Sequence, residues 1–290
     1  MQCSDSPGYK KIFLVFSFLA ALFPSLRAEF LEVAPQVKIF YESAGEGKPL
    51  VFIPGWTMTS GIWKEQVSNL SKTYRVITFD PRGHGNSSKA VAGNSLQQHA
   101  KDLRRLIEEL NLKKVTFIGW SMGIATILEY VNLYDNDGLN ALILVDGSPC
   151  MLKKEDWPYG MSTDEAYKTL MDFENQRTAQ TNQFVDSLFK TDRPDSELEW
   201  IVNEALRTPT SVATVLAYDY FYLDRRPFLM KIDVPTLLIM TGENRGVGEY
   251  MKGAIPNSEL SIFDGAGHAL FMEDPKKFND RVATFLKPGP

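Results

Sequence analysis

Six short apolar runs rich in branched residues, at 50–53, 75–79, 115–119, 139–145, 236–240 and 259–263, punctuate the chain. Runs of this length without polar alternation read as strands buried on both faces. The stretches between them carry helical spacing instead. In 95–110, Leu103, Leu106, Ile107 and Leu110 recur at i, i+3, i+4 and i+7, which puts them on one face. In 275–286, Phe278, Val282, Phe285 and Leu286 do the same, and Pro275 suits a first helical turn. Such alternation predicts an α/β fold: a mostly parallel central sheet flanked by helices. In sheets of this kind the functional groups gather at the C-terminal ends of the strands.

Residues 150–230 break the rhythm. They hold Trp157, Phe173, Phe184, Phe189, Trp200, Tyr218, Tyr220, Phe221 and Tyr222 in helical-looking sequence without a clear strand. Many of these aromatics would serve an ordinary core. Because the insertion begins just past a strand's C-terminal end, a helical cap with an apolar underside is expected. The core is then built from 29–149 and 231–290. A chain of 290 residues, 44% hydrophobic, has enough apolar sequence for one such core.

The N-terminus follows different rules. Lys10 and Lys11 precede the apolar stretch 12–23, followed by Pro24, Ser25 and Ala28. A basic start, a short apolar run and a small residue describe a signal peptide, 1–28, cut after Ala28. The run is short of the roughly 20 residues a membrane-spanning helix needs. A secreted protein is therefore expected, or a membrane-anchored one if the segment is retained. Of the two cysteines, Cys3 would leave with the segment, and Cys150 alone can form no internal disulfide. Asn69-Leu70-Ser71 and Asn86-Ser87-Ser88 have the form of glycosylation sequons. A net charge of −5 gives no general attraction to nucleic acid, and no Cys/His spacing suggests a metal site.

The sharpest motif is Gly119-Trp120-Ser121-Met122-Gly123, directly after the strand at 115–118 and before a helical stretch at 122–134. This is the strand–turn–helix setting of a G-x-S-x-G nucleophile elbow, whose glycines allow a turn that holds the serine hydroxyl above the sheet. A serine needs a base to take its proton. Among three histidines, His99 falls within an amphipathic helix and reads as structural. His84, in Asp80-Pro81-Arg82-Gly83-His84-Gly85-Asn86-Ser87, is placed to line the site's edge. His268, in Gly265-Ala266-Gly267-His268 after the last strand, is placed beside the elbow and is the expected base.

With these residues the chain resembles the α/β-hydrolase fold superfamily over 35–287, and within it the serine esterases and cofactor-free haloperoxidases or perhydrolases. The likeness is carried by Ile53-Pro54-Gly55-Trp56, Trp63, the 80–87 segment, Gly119–Gly123 and Gly267-His268. It implies a triad in the order Ser…Asp/Glu…His and an oxyanion hole formed by the backbone N–H groups of Trp56 and Met122. It also implies hydrolysis of carboxylic ester, lactone or thioester bonds through an acyl-enzyme, with no metal or organic cofactor; perhydrolysis is open to this subgroup. Serine at 121 argues against the aspartate-nucleophile haloalkane and epoxide hydrolases. The chain departs from the pattern at the acid. Where relatives commonly have G-x-x-D, it reads Gly242-Glu243-Asn244-Arg245. Asp146, ending the strand at 139–145, is the favoured acid, and Glu243 the alternative; Asp146 could also merely cap the next turn.

The aromatic cap favours a small-molecule ester with an apolar acyl or aryl group, and no nucleic-acid partner is expected. A membrane would be involved only through an uncleaved signal segment. A competing reading is a non-catalytic hydrolase-fold receptor that closes its cap over a ligand, since fold alone does not fix function.

Overall fold

The structure is a computed structural model that describes residues 26–287. The apolar stretch 12–23 lies outside the described residues, as does most of the expected signal segment. The expected cut after Ala28 falls inside the first strand, where Arg27 and Ala28 pair with Ser43 and Glu42.

Eight strands form one sheet: β1 (Arg27–Ala34), β2 (Val37–Ala44), β3 (Pro49–Ile53), β4 (Arg75–Phe79), β5 (Val115–Trp120), β6 (Leu139–Val145), β7 (Thr236–Thr241) and β8 (Ser258–Phe263). Their spatial order is β1-β2-β4-β3-β5-β6-β7-β8. β1 pairs antiparallel with β2, and β2 antiparallel with β4. All other neighbours are parallel. The eight strands thus include the six runs seen in the sequence plus an antiparallel hairpin at one edge.

Helices α1 (Lys64–Leu70), α2 (Leu96–Glu109) and α3 (Met122–Tyr134) connect the early strands. Between β6 and β7 the chain passes through α4 (Thr163–Asn175), α5 (Arg177–Ser187), α6 (Asp195–Leu206), α7 (Thr210–Tyr222) and α8 (Arg226–Leu229). The last third adds α9 (Arg245–Ala254), α10 (Leu270–Glu273) and α11 (Pro275–Leu286). No helix among the described residues is long and apolar enough to cross a membrane.

The continuous apolar runs are explained by what covers them. Val51, Phe117, Leu142 and Leu144 point to one face, against Leu103 and Leu106 of α2, Ile127 and Val131 of α3, and Met251 of α9. Phe52, Ile118, Ile143 and Val145 point to the other, against Leu70 of α1 and Phe278 and Val282 of α11. Every second residue of a central strand serves one core and its neighbour the other.

The insertion is tied to this frame by a buried cation. Arg225, 1% exposed, donates from Nε to Glu129 Oε1 of α3 at 2.7 Å and from its amino group to Asp219 Oδ1 of α7 at 2.5 Å. Asp219 Oδ2 in turn accepts from the Leu96 N–H at the start of α2, 2.7 Å away. Burying a guanidinium is costly unless it is paired and hydrogen-bonded, and here its partners come from both the insertion and the core. The C-terminal turn of α7 is therefore fixed to α2 and α3.

Candidate active site

β5 ends at Trp120 and α3 begins at Met122, leaving one residue for the turn. That residue, Ser121, has φ 55° and ψ −122°. A non-glycine residue rarely adopts this conformation, and surrounding structure must hold it there. The neighbouring glycines are required by close approach. A Cβ at Gly123 would stand 2.6 Å from the Ile53 carbonyl oxygen, and one at Gly119 would stand 2.9 Å from the Gly123 backbone. At the end of β6, a Cβ on Gly147 would lie 2.6 Å from the Ser121 carbonyl oxygen. Side chains at these positions would push α3 off the sheet and straighten the turn.

His268 follows β8 on a loop fixed from several sides. Its carbonyl accepts from Trp120 Nε1 at 2.9 Å, and the Gly267 N–H donates to Glu273 Oε2 at 2.5 Å. A Cβ on Gly267 would meet the Leu188 carbonyl oxygen at 2.6 Å, so only glycine fits there. From this loop, His268 Nδ1 reaches Asp146 Oδ2 at 2.7 Å. The other carboxylate oxygen, Oδ1, accepts from the Thr241 N–H at 2.8 Å, from Thr241 Oγ1 at 2.9 Å and from Asn244 Nδ2 at 3.0 Å. Burial alone would raise the Asp146 carboxyl. The bonds from His268, Thr241 and Asn244 outweigh it and hold the group below its ordinary value. Asp146 is thus a buried carboxylate kept ionised, with one oxygen reserved for the imidazole.

Glu243 lines the same cavity but turns outward at its rim, away from the imidazole. Its side chain is 72% exposed and pairs with Lys190. The two candidate acids are separated by geometry: Asp146 meets the imidazole, and Glu243 meets a surface lysine.

Trp56 and Met122 present backbone N–H groups that have no hydrogen-bond partner among the described residues. Met122 is the first residue of α3, where helix geometry leaves N–H groups unsatisfied and the helix dipole favours negative charge. Trp56 lies on the turn after β3, which approaches the elbow so closely that a Cβ on Gly55 would sit 3.2 Å from Ser121 Cβ.

Ser121, Asp146, His268 and Trp56 line one cavity of about 430 Å³, together with Phe173 of α4 and Phe184 of α5. The Trp56 ring meets Phe173 edge-on at 4.5 Å between centroids. Neither Ser121 Oγ nor His268 Nε2 is engaged by another described group. A larger groove of about 1290 Å³, between α1 and α6, contains none of these residues. Among the described residues no group of three or more His, Cys, Asp or Glu could hold a metal ion.

The expectation for His84 is corrected. It is fully buried, with Nδ1 3.0 Å from the Arg82 carbonyl oxygen and its ring edge-on to His99 at 5.7 Å. The turn at 80–87 folds inward around Asp80, which accepts from the Ser60 and Asn86 N–H groups, and carries His84 away from the cavity. Burial, with repulsion from His99, lowers His84 to about 3; burial, with repulsion from Arg82, lowers His99 to about 4. Both rings therefore stay neutral in the folded chain between pH 6.5 and about 4, while the unfolded chain protonates them. The unfolded state then binds more protons, so stability falls on acidification, by up to about 1.4 kcal/mol per pH unit for each ring. Urea-unfolding midpoints should drop as pH is lowered from 6.5 toward 4; level or rising midpoints would contradict this account.

Sequence reading did not find Thr241, Asn244 or Glu273. Asn244 stands one residue before the place where the acid is commonly expected, and it supports an acid 98 positions earlier in the chain. Nothing local in the sequence marks that partnership.

Residues 48–275 match the family described as alpha/beta hydrolase fold. A non-heme chloroperoxidase of Kitasatospora aureofaciens is 30% identical over 270 residues, covering 86% of this chain and 96% of that one. An esterase from Exiguobacterium antarcticum superposes with a TM-score of 0.86 at 27% identity, covering 90% of this chain and all of the other. A bromoperoxidase from Bacillus anthracis gives a TM-score of 0.85 at 30% identity, again covering 90% of this chain and all of the other.

Proposed function

The chain belongs to the alpha/beta hydrolase fold family, and from that premise we propose a carboxylic ester hydrolase in which Ser121, His268 and Asp146 act as the triad. The observation that carries the reading is the 2.7 Å contact of His268 Nδ1 with Asp146 Oδ2, inside the cavity that holds the strained Ser121 turn. Esterases among the proteins similar to this chain support the reaction class.

The steps follow from the positions of the groups. Ser121 Oγ attacks the ester carbonyl carbon as its proton passes to His268 Nε2. The imidazolium so formed is stabilised by Asp146, whose Oδ1 is held still by Thr241 and Asn244. Negative charge on the former carbonyl oxygen meets the N–H groups of Trp56 and Met122; losing one such donor costs about 3–4 kcal/mol in a comparable site. His268 returns the proton to the departing alkoxide, leaving acyl-Ser121. A water deprotonated by the same imidazole releases the acid.

Helices α4, α5 and α7 supply Phe173, Phe184 and Ala217 to the cavity, and we read them as a cap that favours apolar acyl or aryl groups. The test is turnover of short p-nitrophenyl esters together with covalent labelling by a fluorophosphonate. Turnover with a label on Ser121 supports the enzyme; neither turnover nor label is the result expected of a ligand-binding receptor.

Export is part of the same proposal. Residues 1–28 have a basic start and an apolar run of signal-peptide type. N-terminal sequencing of protein recovered from the medium should begin at Glu29. Recovery of the intact chain from membranes would instead mean a retained anchor.

A further inference from the structure

The cavity holds a second polar feature that the reaction does not use. Most of its lining is apolar, including Met151, Met161, Phe173, Phe184 and Phe221. Its other polar side chains are largely committed to the protein. Ser148 Oγ donates to the Cys150 carbonyl at 2.6 Å, Thr169 Oγ1 to the Glu165 carbonyl at 2.8 Å, and Asn244 to Asp146. Tyr220 is different. It is 7% exposed, and its hydroxyl oxygen accepts only from the Ser148 N–H, at 3.5 Å. The hydroxyl's own hydrogen has no acceptor among the described residues. Burial pushes the phenol up to about 12, so it remains a donor at any working pH. Besides the nucleophile Ser121, the cavity's remaining uncommitted hydroxyl, on Tyr159, is half-buried and within reach of water.

A buried donor without a partner is unfavourable, and this one is held rigidly. Tyr220 lies between Asp219, which is clamped by Arg225 and the Leu96 N–H, and the end of α7. Tyr220 packs in one cluster with Trp56 and Met122, but its hydroxyl contacts the Ser148 N–H and neither oxyanion donor. The hydroxyl is tied to Ser148, just past β6, whereas Trp56 follows β3. The strand bearing Ser121, β5, runs between those two. The hydroxyl therefore stands over the end of β6, beside the strand that bears Ser121.

We propose that the Tyr220 hydroxyl is a specificity-determining donor that binds a hydrogen-bond acceptor on the part of the substrate lying over the end of β6. The preferred substrates are then esters carrying a carbonyl, ether or ring oxygen beyond the scissile group, ahead of plain alkyl esters of the same length. This rests on the ester-hydrolase reading above and deepens it.

The test uses matched substrate pairs with wild type and Tyr220→Phe. One pair, p-nitrophenyl butyrate and p-nitrophenyl 3-oxobutyrate, varies the acyl arm. The other, propyl and 2-methoxyethyl butyrate, varies the alcohol arm. Taking the ratio of wild type to variant for each ester cancels its intrinsic reactivity. In one pair, kcat/KM of the acceptor-bearing ester should fall about 10- to 100-fold in the variant, with its alkyl partner within about two-fold. The rate of Ser121 labelling by a small alkyl fluorophosphonate should be unchanged. Equal effects on all four esters, no effect on any, or slowed labelling would overturn the proposal. Turnover that survives Ser121→Ala would instead defeat the hydrolase reading beneath it.

Discussion

Ser121→Ala should lower kcat for a p-nitrophenyl ester by about a million-fold, the scale seen when the nucleophile of a serine hydrolase is removed. Residual rate would come from the oxyanion donors and from binding alone. The fold should be unaffected, because the Ser121 side chain makes no hydrogen bond to any described group and the backbone turn is fixed by the contacts around Gly119, Gly123 and Gly147. Fluorophosphonate labelling guards the measurement against a contaminating esterase, since the variant should lose label and turnover together. Retention of both would mean that another residue is the nucleophile.

Asp146→Asn should cost about 10⁴ in kcat, and the surroundings of the carboxylate say why. Three donors point at Oδ1: the Thr241 N–H, the Thr241 hydroxyl and the Asn244 amide. An amide at position 146 satisfies them only by turning its oxygen toward them, which aims its NH₂ group at His268 Nδ1. That nitrogen must then accept, which leaves the imidazole proton on Nε2, where a base facing Ser121 cannot carry it. The pocket that stabilises the carboxylate thus selects the wrong tautomer once the charge is removed. Glu243→Gln should stay within about two-fold of wild type, since an exposed charge paired at the surface contributes little. Near-normal activity of Asp146→Asn, with loss in Glu243→Gln, would reverse the assignment.

What could be read in advance depended on how local the cause was. Five of the six runs, β3 to β7, are visible because both faces are buried, while the sixth, the half-buried edge strand β8, is marked by Leu260, Ile262 and Phe263. α3 and α11 begin and end where the apolar periodicity and the flanking Gly and Pro residues put them. The β1–β2 hairpin is harder to see: β1 is largely exposed, and sequence such as Val37-Lys38-Ile39 alternates polar and apolar residues as a one-sided edge does. Its turn is made by Gln36 at φ 63°, not by a glycine that would have announced it. At the site, Ser121 and His268 stand out because a motif or a strand end marks each. Thr241, Asn244 and Tyr220 do not, since their importance comes from partners brought close only by the folded sheet. His84 was misplaced for the same reason: the inward curl around Asp80 is a tertiary event.

The break at residues 150–230 carries a longer-range consequence. Trp56, Ser121, Met122, Asp146 and His268 all lie outside that span, and Thr241 and Asn244 do as well. Descendants of this chain can therefore rewrite the span and change which molecules are admitted while inheriting the bond-breaking apparatus intact. The Arg225 clamp sets one boundary on such tinkering, because changes near the end of α7 must keep a mate for its charge.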